Sequence, residues 1–475
     1  MSTRTSAKTK TPVTPEIPSP LPQTHNRPVA DRIARGKALR EQCPRKAQAE
    51  WKPPAKRADP IDLLIENSRG RIEDLVPIRY GRMMANPFAF YRGAAAIMAY
   101  DLSHTPSTGL MLQACGDCHL VNFGGFATAE RKIIFDINDF DETSIAPWEW
   151  DVKRLAASFV IAGRANGFSA ADCREAAHRV AQNYRTRLAQ YSQQSVLEVW
   201  YDTLDFDRII RSETDKQVRH FYLKKLEAAA EQSAHEKEFA KLAFATGETP
   251  RIIDHPPLIF HGPDADSPEQ RAQWEASLAD YLKSLPPERR VLLDRYKLAD
   301  AAIKVVGVGS VGTFCGIALL MSGKGDPLFL QFKQARQSVL EPYAGASSFK
   351  HAGQRVVVGQ RLMQAAGDML LGWYTGARGR QLYVRQLADA KIKPVVEIMK
   401  PRNLLNYAML CGWALARAHA RSGDAAVLTG YLGSSSAFED AIAAFSEAYA
   451  DQNERDHAAL VAAVRAGKVE ARQVE

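Results

Sequence analysis

The sequence predicts an α+β protein of two lobes: a helix-rich large lobe and a small antiparallel sheet. Three observations predict it. From Trp150 onward, Val152, Leu155, Ala156, Phe159 and Val160 recur at helical spacing. Between residues 303 and 337, short β-like runs alternate with glycines. Between them in kind, residues 110–142 read as strand, loop, strand, loop, and carry a dense acidic cluster.

Residues 1–58 form a basic arm and linker helix. The first 57 hold 13 Lys/Arg against 4 Asp/Glu, which leaves the rest of the chain near neutral. The first 28 residues are rich in Thr, Pro, Ser and Lys and predict disorder, because such a composition cannot bury enough surface to offset ordering entropy. A basic tail is not a basic domain, so nucleic acid is expected only through weak non-specific contact by the arm. No apolar stretch approaches a membrane span and no secretory signal is visible. Six scattered cysteines fit reduced thiols and a cytoplasmic protein better than a disulfide framework.

Residues 59–285 form the helix-rich lobe. Residues 29–50 look helical, as do 61–74 and 87–102, and helices are expected from Trp150 to about 247 and over 268–284. Residues 286–400 form the glycine-rich sheet lobe, with β-like runs at Ile303 to Val306, Phe314 to Met321 and Leu328 to Lys333. A helix follows over 353–371 and a strand over 382–387. Residues 401–475 are Ala-rich helices that complete the helical lobe.

The chemistry concentrates in two places. The first is Gly116-Asp117-Cys118-His119-Leu120-Val121-Asn122, followed by the strand-like Ile133–Asn138 and then Asp139-Phe140-Asp141-Glu142. Four acidic groups fall within the seven residues Asp136 to Glu142. Burying so many carboxylates without a cation is costly. Phosphoryl transfer needs a carboxylate to orient the attacking hydroxyl and oxygen ligands to hold Mg²⁺ on the phosphates. Asp117 fits the base, with His119 beside it. Asn122 and Asp139 fit the metal, with Asp136 and Asp141 as rival ligands.

The second is Gly307-Val308-Gly309-Ser310-Val311-Gly312, followed by strand-like residues, a Gly323–Asp326 turn and a strand ending in Lys333. A dinucleotide-binding fold, as in an oxidoreductase, would need a helix over 313–325. Strand, glycine loop, strand, turn and strand ending in lysine is instead a phosphate-cradling arrangement. Gly307, Gly309, Ser310 and Gly312 would approach phosphates, and Lys333 would meet them. Tyr383–Leu387, with Gln386, could form the hinge strand whose backbone reads a base. Glu341 is the nearest carboxylate that could partner Lys333.

The acidic motifs resemble those of aminoglycoside and choline phosphotransferases, the small-molecule branch of the protein-kinase-like fold. The usual His before Gly-Asp is Cys115 here. Pro147-Trp148-Glu149-Trp150-Asp151 and Arg154-Leu155-Ala156 look like that branch's following turn and helix, in which Asp151 would brace the catalytic loop. Trp413-Ala414-Leu415-Ala416-Arg417-Ala418-His419 looks like the helix that normally precedes that loop. The order is therefore circularly permuted, which surface termini tolerate. The resemblance implies ATP and Mg²⁺ as cofactors and a small-molecule hydroxyl substrate. A protein substrate, AMP transfer to protein, and a regulatory nucleotide binder without turnover are the alternatives.

The whole chain from about 30 to 460 is similar to the bacterial family catalogued as domain of unknown function 2252. The resemblance rests on Arg79-x-x-Arg82-Met83, Pro87-Phe88-x-Phe90-x-Arg92-Gly93, the Gly116 and Asn138–Glu142 motifs, Val306–Thr313 and Gly430-Tyr431-Leu432-Gly433. Arg79, Arg82 and Arg92 are expected to pair with the carboxylates at 136–142, the alternative being that they grip an anionic substrate or phosphate. Cys115-Gly116-Asp117-Cys118-His119 also spells a haem-attachment motif or half a zinc site, without a second Cys-x-x-Cys to complete the latter. The phosphotransferase reading requires the Lys333 amine within about 12 Å of the Asp139 carboxylate, the reach of a nucleotide's phosphates and metal.

Overall fold

A computed structural model describes residues 26–231, 239, 241–246, 249–305, 307–387 and 391–473. The first 25 residues of the basic arm and Val306 of the glycine motif lie outside the described residues.

The large lobe is built on helices Trp148–Ala165, Ala170–Tyr191, Pro401–Ser422 and Ala437–Arg465, which pack on one another. Helix Trp148–Ala165 starts directly after Pro147, has Glu149 and Asp151 in its first turn and Arg164 in its last, and so matches its own dipole. It is buried on nearly every side, as a central core helix must be. Trp148 stacks on Tyr184 at 5.9 Å in that core. Four short strands lie against it: β1 (Met111–Ala114), β2 (Phe123–Ala127), β3 (Ile133–Ile137) and β4 (Ser144–Pro147). β1 pairs with β4 and β2 with β3, both antiparallel, and β5 (Leu204–Asp205) adds to β3.

The helical run expected to about 247 ends differently. After helix Lys216–Glu231, with residues 239, 241 and 242 again helical, the chain forms a hairpin of β6 (Ala243–Thr246) and β7 (Thr249–Ile252). β-branched and aromatic residues on the two strands favour this over a helix.

The small lobe is a six-stranded antiparallel sheet. Its strands are β8 (Ile259–Phe260), β9 (Tyr296–Lys304), β10 (Cys315–Ser322), β11 (Pro327–Gln334), β12 (Gly372–Thr375) and β13 (Gln381–Gln386), in the order β12-β13-β11-β10-β9-β8. The segment 313–325, where a dinucleotide fold would need a helix, holds β10 and a turn. β12 was not legible in the sequence. The helix expected over 353–371 spans Ala352–Met363 only. Gln364 turns to extended backbone and the Ala365 amide caps onto Asp136 Oδ2 at 2.9 Å. Helix Pro268–Lys283 packs on β12, and Tyr281 joins Leu330, Phe332 and Leu382 in a second core. Among the described residues no helix is long and apolar enough to cross a membrane.

The lobes meet over the 115–143 region. The C-terminal helix Pro401–Ser422 lies along β1 and β3 and sends Arg417 to Asp136, with Nη2 2.6 Å from both carboxylate oxygens and both residues fully buried. Asp136 also accepts from the amides of Ile137 at 2.8 Å and Ala365. Its oxygens are thus committed inside the core, which corrects its reading as a rival metal ligand. Replacing Arg417 by Leu strands this charge and should lower unfolding free energy by about 3–5 kcal/mol, seen as a lower urea midpoint at constant slope. Adding Asp136→Leu should recover much of that loss.

Candidate active site

The pairing of β1 with β4 and of β2 with β3 brings the two loops between these strands to one end. Asn138 donates its amide to Asn122 O at 2.7 Å, and this bond ties the loops together. Gly116 adopts φ +84°, and a Cβ there would stand 2.3 Å from Glu142 O. Glycine is therefore demanded both by backbone sign and by close approach. Asp151 accepts from the amides of Cys115 at 2.7 Å and Gly116 at 3.0 Å, and its Oδ2 lies 3.2 Å from His419 Nε2. His419 in turn meets Tyr184 Oη at 2.7 Å. Cys115, Cys118 and Asp151 cluster within 4.8 Å, but the Asp151 oxygens serve as this loop brace.

The loops open into a cleft of about 670 Å³ between the lobes. Asp117, His119, Asn122, Asp139, Asp141, Gly307, Gly309, Ser310 and Lys333 all line it. Asp117 is held through Oδ1 by Arg154, whose Nε donates at 2.8 Å and whose Nη2 makes a second bond. Oδ2 is left toward the cleft, 3.8 Å from His119 Nε2 and 3.9 Å from where a Cβ on Gly309 would stand. His119 is buried, and burial drives its imidazole down to about 3 despite the nearby Asp117 charge. Asn122 donates its amide to Asp117 O at 2.8 Å, so its carbonyl oxygen is the atom available as a ligand.

Lys333 reaches this loop from β11. Its Nζ lies 2.5 Å from Asp141 Oδ2 and 3.9 Å from Asp139 Oδ2, well inside the distance the sequence argument required. Tyr383, its register partner on β13, donates to Asp141 Oδ1 at 2.5 Å, and Ser310 Oγ to Oδ2 at 3.1 Å. Burial favours the neutral Asp141 carboxyl, but Lys333 and Tyr383 overcome it and bring the group down to about 2. Burial and then the Asp141 charge push Asp139 the other way, upward. Asp139 has no short ion pair: it accepts the Asp141 amide at 3.1 Å and leaves its carboxylate about a third exposed.

The glycine turn is strapped to the large lobe. Arg71 Nη1 donates to Gly309 O at 3.0 Å and Val311 O at 2.6 Å, and the Ile72 amide to Gly312 O at 2.7 Å. Gly312 has φ +84° and lies against the Arg71 side chain.

Three expectations need correction. Gln386 does not line the cleft, and its amide donates to Asp368 Oδ2 at 2.5 Å; Arg385, one residue earlier, faces inward instead. Arg79 pairs with no carboxylate at 136–142, because it is buried against Ser68 Oγ, Asn67 Oδ1 and Gly93 O. Glu341 does not partner Lys333; it accepts from the amides of Ser338 at 3.0 Å and Ser347 at 3.2 Å and lies 3.6 Å from Arg355. The helix after β11 sends that arginine, rather than a carboxylate, toward the acidic loop, where Arg355 Nη2 donates to Asp141 O at 2.9 Å and Nη1 to Thr143 O.

Sequence reasoning missed Arg154, Tyr383, Arg355, Arg385, Lys391 and Lys393 as parts of the site. Arg154 had a signal, three residues after Asp151 on a helix that faces the loop. Tyr383 and Arg385 depend on sheet register, Arg355 on which face of helix Ala352–Met363 meets the acidic loop, and Lys391 and Lys393 lie on a linker with no motif.

The family described as "Uncharacterized protein conserved in bacteria (DUF2252)" matches residues 71–463, and the chain belongs to it. No curated protein and no solved structure matches the chain.

The opposed carboxyl shifts predict acid behaviour. Asp141 is held below the ordinary carboxylate range, so its contribution to stability is present above about pH 4 and lost as pH falls through about 2. Thermal unfolding from pH 6 to pH 2 should therefore cost wild type more than Asp141→Asn. Asp139 is shifted upward, so its charge opposes folding at neutral pH, and Asp139→Asn should melt higher than wild type in metal-free buffer at pH 7. A lower melting temperature for that variant would contradict the reading.

Proposed function

We propose that the cleft binds ATP with Mg²⁺ and transfers the γ-phosphoryl group to a hydroxyl of a small molecule. The frame would be a protein-kinase-like pair of lobes whose segments occur in permuted order. One observation carries this reading: Lys333, from the glycine-turn sheet, lies 2.5 Å from Asp141 and 3.9 Å from Asp139, from the acidic loop. A glycine turn, a sheet lysine, a loop Asp/Asn pair and a second acidic loop then face one space, which is the set of parts phosphoryl transfer uses.

The donor set suits a hard cation. Asp139 would hold Mg²⁺ with Asn122 Oδ1 and Asp141, and the ion supplies neutralisation of charge on the phosphate oxygens. Lys333 would balance phosphate charge from the sheet side. The small residues of the turn 307–312 permit backbone amides to approach phosphate oxygens. Arg154 fixes the rotamer of Asp117, so that Oδ2 can accept the proton of an acceptor hydroxyl. As the acceptor oxygen bonds to the γ-phosphorus, the bond from phosphorus to the β,γ-bridging oxygen breaks, and its electron pair leaves with ADP. The permuted order is supported by helix Pro401–Ser422, which braces the Asp117 loop through His419 and Asp151 although it comes almost 300 residues later.

Calorimetry should show ATP binding that strengthens with Mg²⁺, and Asp139→Ala should lose the metal-dependent part. Asp117→Asn should keep nucleotide affinity and lose about 10²–10⁴-fold in transfer of γ-labelled phosphate to a panel of hydroxyl compounds. No binding at millimolar ATP would remove the basis of the proposal. Label arriving on protein from the α-phosphate would reassign the chemistry to AMP transfer.

A further inference from the structure

The cleft holds more positive charge than a nucleotide needs. Ten cationic side chains line it against four carboxylates, a surplus of six. A magnesium-bound nucleoside triphosphate brings about two net negative charges. Several of the cations are committed: Lys333 to Asp141, Arg79 to Gly93 O, Arg71 to the glycine turn, and Arg336 to Asn67 O at 2.9 Å and Arg69 O at 2.6 Å.

Three are not. Arg92, Lys391 and Lys393 make no hydrogen bond or ion pair with any described side chain, and Arg92 Nε is buried without a partner. They stand in a row of like charge. Lys393 feels Arg385, Arg92 and Asp139; Lys391 feels Arg385, Lys393 and Asp139; Arg385 feels Asp139 and Asp141; and Arg92 feels the carboxylates of Asp117 and Glu397. The row therefore runs past both carboxylates of the proposed chemistry. Burial, then the charges of Arg385 and Lys393, pushes the Lys391 amine well below the usual lysine range. Such crowding disfavours the charged forms unless an anion is present.

The backbone fixes the direction of the lysines. Ile392 forms a two-bond bridge with Gly125, its amide donating at 2.7 Å and its carbonyl accepting at 2.9 Å. Its side chain is buried in the wall of a separate apolar cavity with Phe135, Phe206 and Tyr407. Extended backbone alternates its side chains, so Lys391 and Lys393 turn to the opposite side, into the cleft.

We infer that the acceptor is a phosphorylated hydroxyl compound, whose phosphate is held by Arg92, Lys391 and Lys393 while its hydroxyl meets Asp117. This rests on the phosphotransferase reading. Three clustered cations suit a phosphate dianion better than a single carboxylate. A cationic acceptor such as choline or an aminoglycoside meets repulsion in this cleft.

The test is a titration of the full chain with inorganic phosphate, with acetate as the second arm. Calorimetry is run on the free protein and on protein saturated with Mg²⁺ and a non-hydrolysable ATP analogue. Phosphate should bind the loaded protein, and Lys391→Ala/Lys393→Ala should weaken that binding by about tenfold or more while nucleotide affinity falls less than about threefold. Lys393→Gln, at an exposed position, should show the same direction with a smaller loss and guards against a folding defect. Loaded protein that takes no phosphate, acetate binding as tight as phosphate, or parallel loss of nucleotide and phosphate in the variants would each overturn the inference. Phosphate binding through these lysines in a protein that never binds nucleotide would sink the transferase reading and keep the anion site.

Discussion

Four carboxylates within seven residues, at the end of one strand and on the loop after it, must each find a separate answer to its charge, and the architecture follows from how those answers are distributed. Asp136 is neutralised inside the core by Arg417. Asp141 takes Lys333, Tyr383 and Ser310 from the sheet lobe. Glu142 accepts the Val339 amide at 2.8 Å, and burial raises its carboxyl. Only Asp139 is left with a backbone amide and a lysine at 3.9 Å. The cations come from remote stretches of sequence, so satisfying the loop is also what docks the two lobes and the C-terminal helices on one another. Removing one partner of such a pair costs far more than the pair contributes, which makes these contacts determinants of arrangement more than sources of stability.

Much of this was legible because glycine and periodicity leave strong marks. The strands β10 and β11 fall where glycines interrupt apolar runs, and the helix from Trp148 follows its apolar spacing, whereas β9 starts at Tyr296, well before the run expected from Ile303, because its polar residues hide it. What failed was short or context-driven. β12 has four residues and is recognisable only through its pairing with β13. The helix from Ala352 stops at Met363 because Ala365 and Gln364 bond to Asp136 and Ile137 O, contacts that no local pattern announces.

The site divides in the same way. That Asp117, Asn122, Asp139 and Lys333 line one cleft accords with the spacing of polar residues beside glycines and at strand ends. Ranking Asp136 against Asp139 was not, since three residues separate them and only the packing of β3 against helix Pro401–Ser422 puts one in the core and the other in the cleft. Gln386 and Arg385 illustrate the period of two in a strand: an error of one residue reverses the face. Tyr383 could be linked to Asp141 only through its pairing opposite Lys333.

A loop geometry is held by what presses on it, and here the Asp117 loop is held by Asp151, from the helix that follows it, and by His419, from a helix near the end of the chain. Arg417, two residues before His419, holds the strand that leads to Asp139. One turn of one helix thus fixes both loops. Whether that helix precedes the loops or follows them by hundreds of residues changes the entropy of closing the chain only slowly with length. A site held in this way depends on the contacts pressed onto its loops more than on where the helix that makes them falls in the sequence.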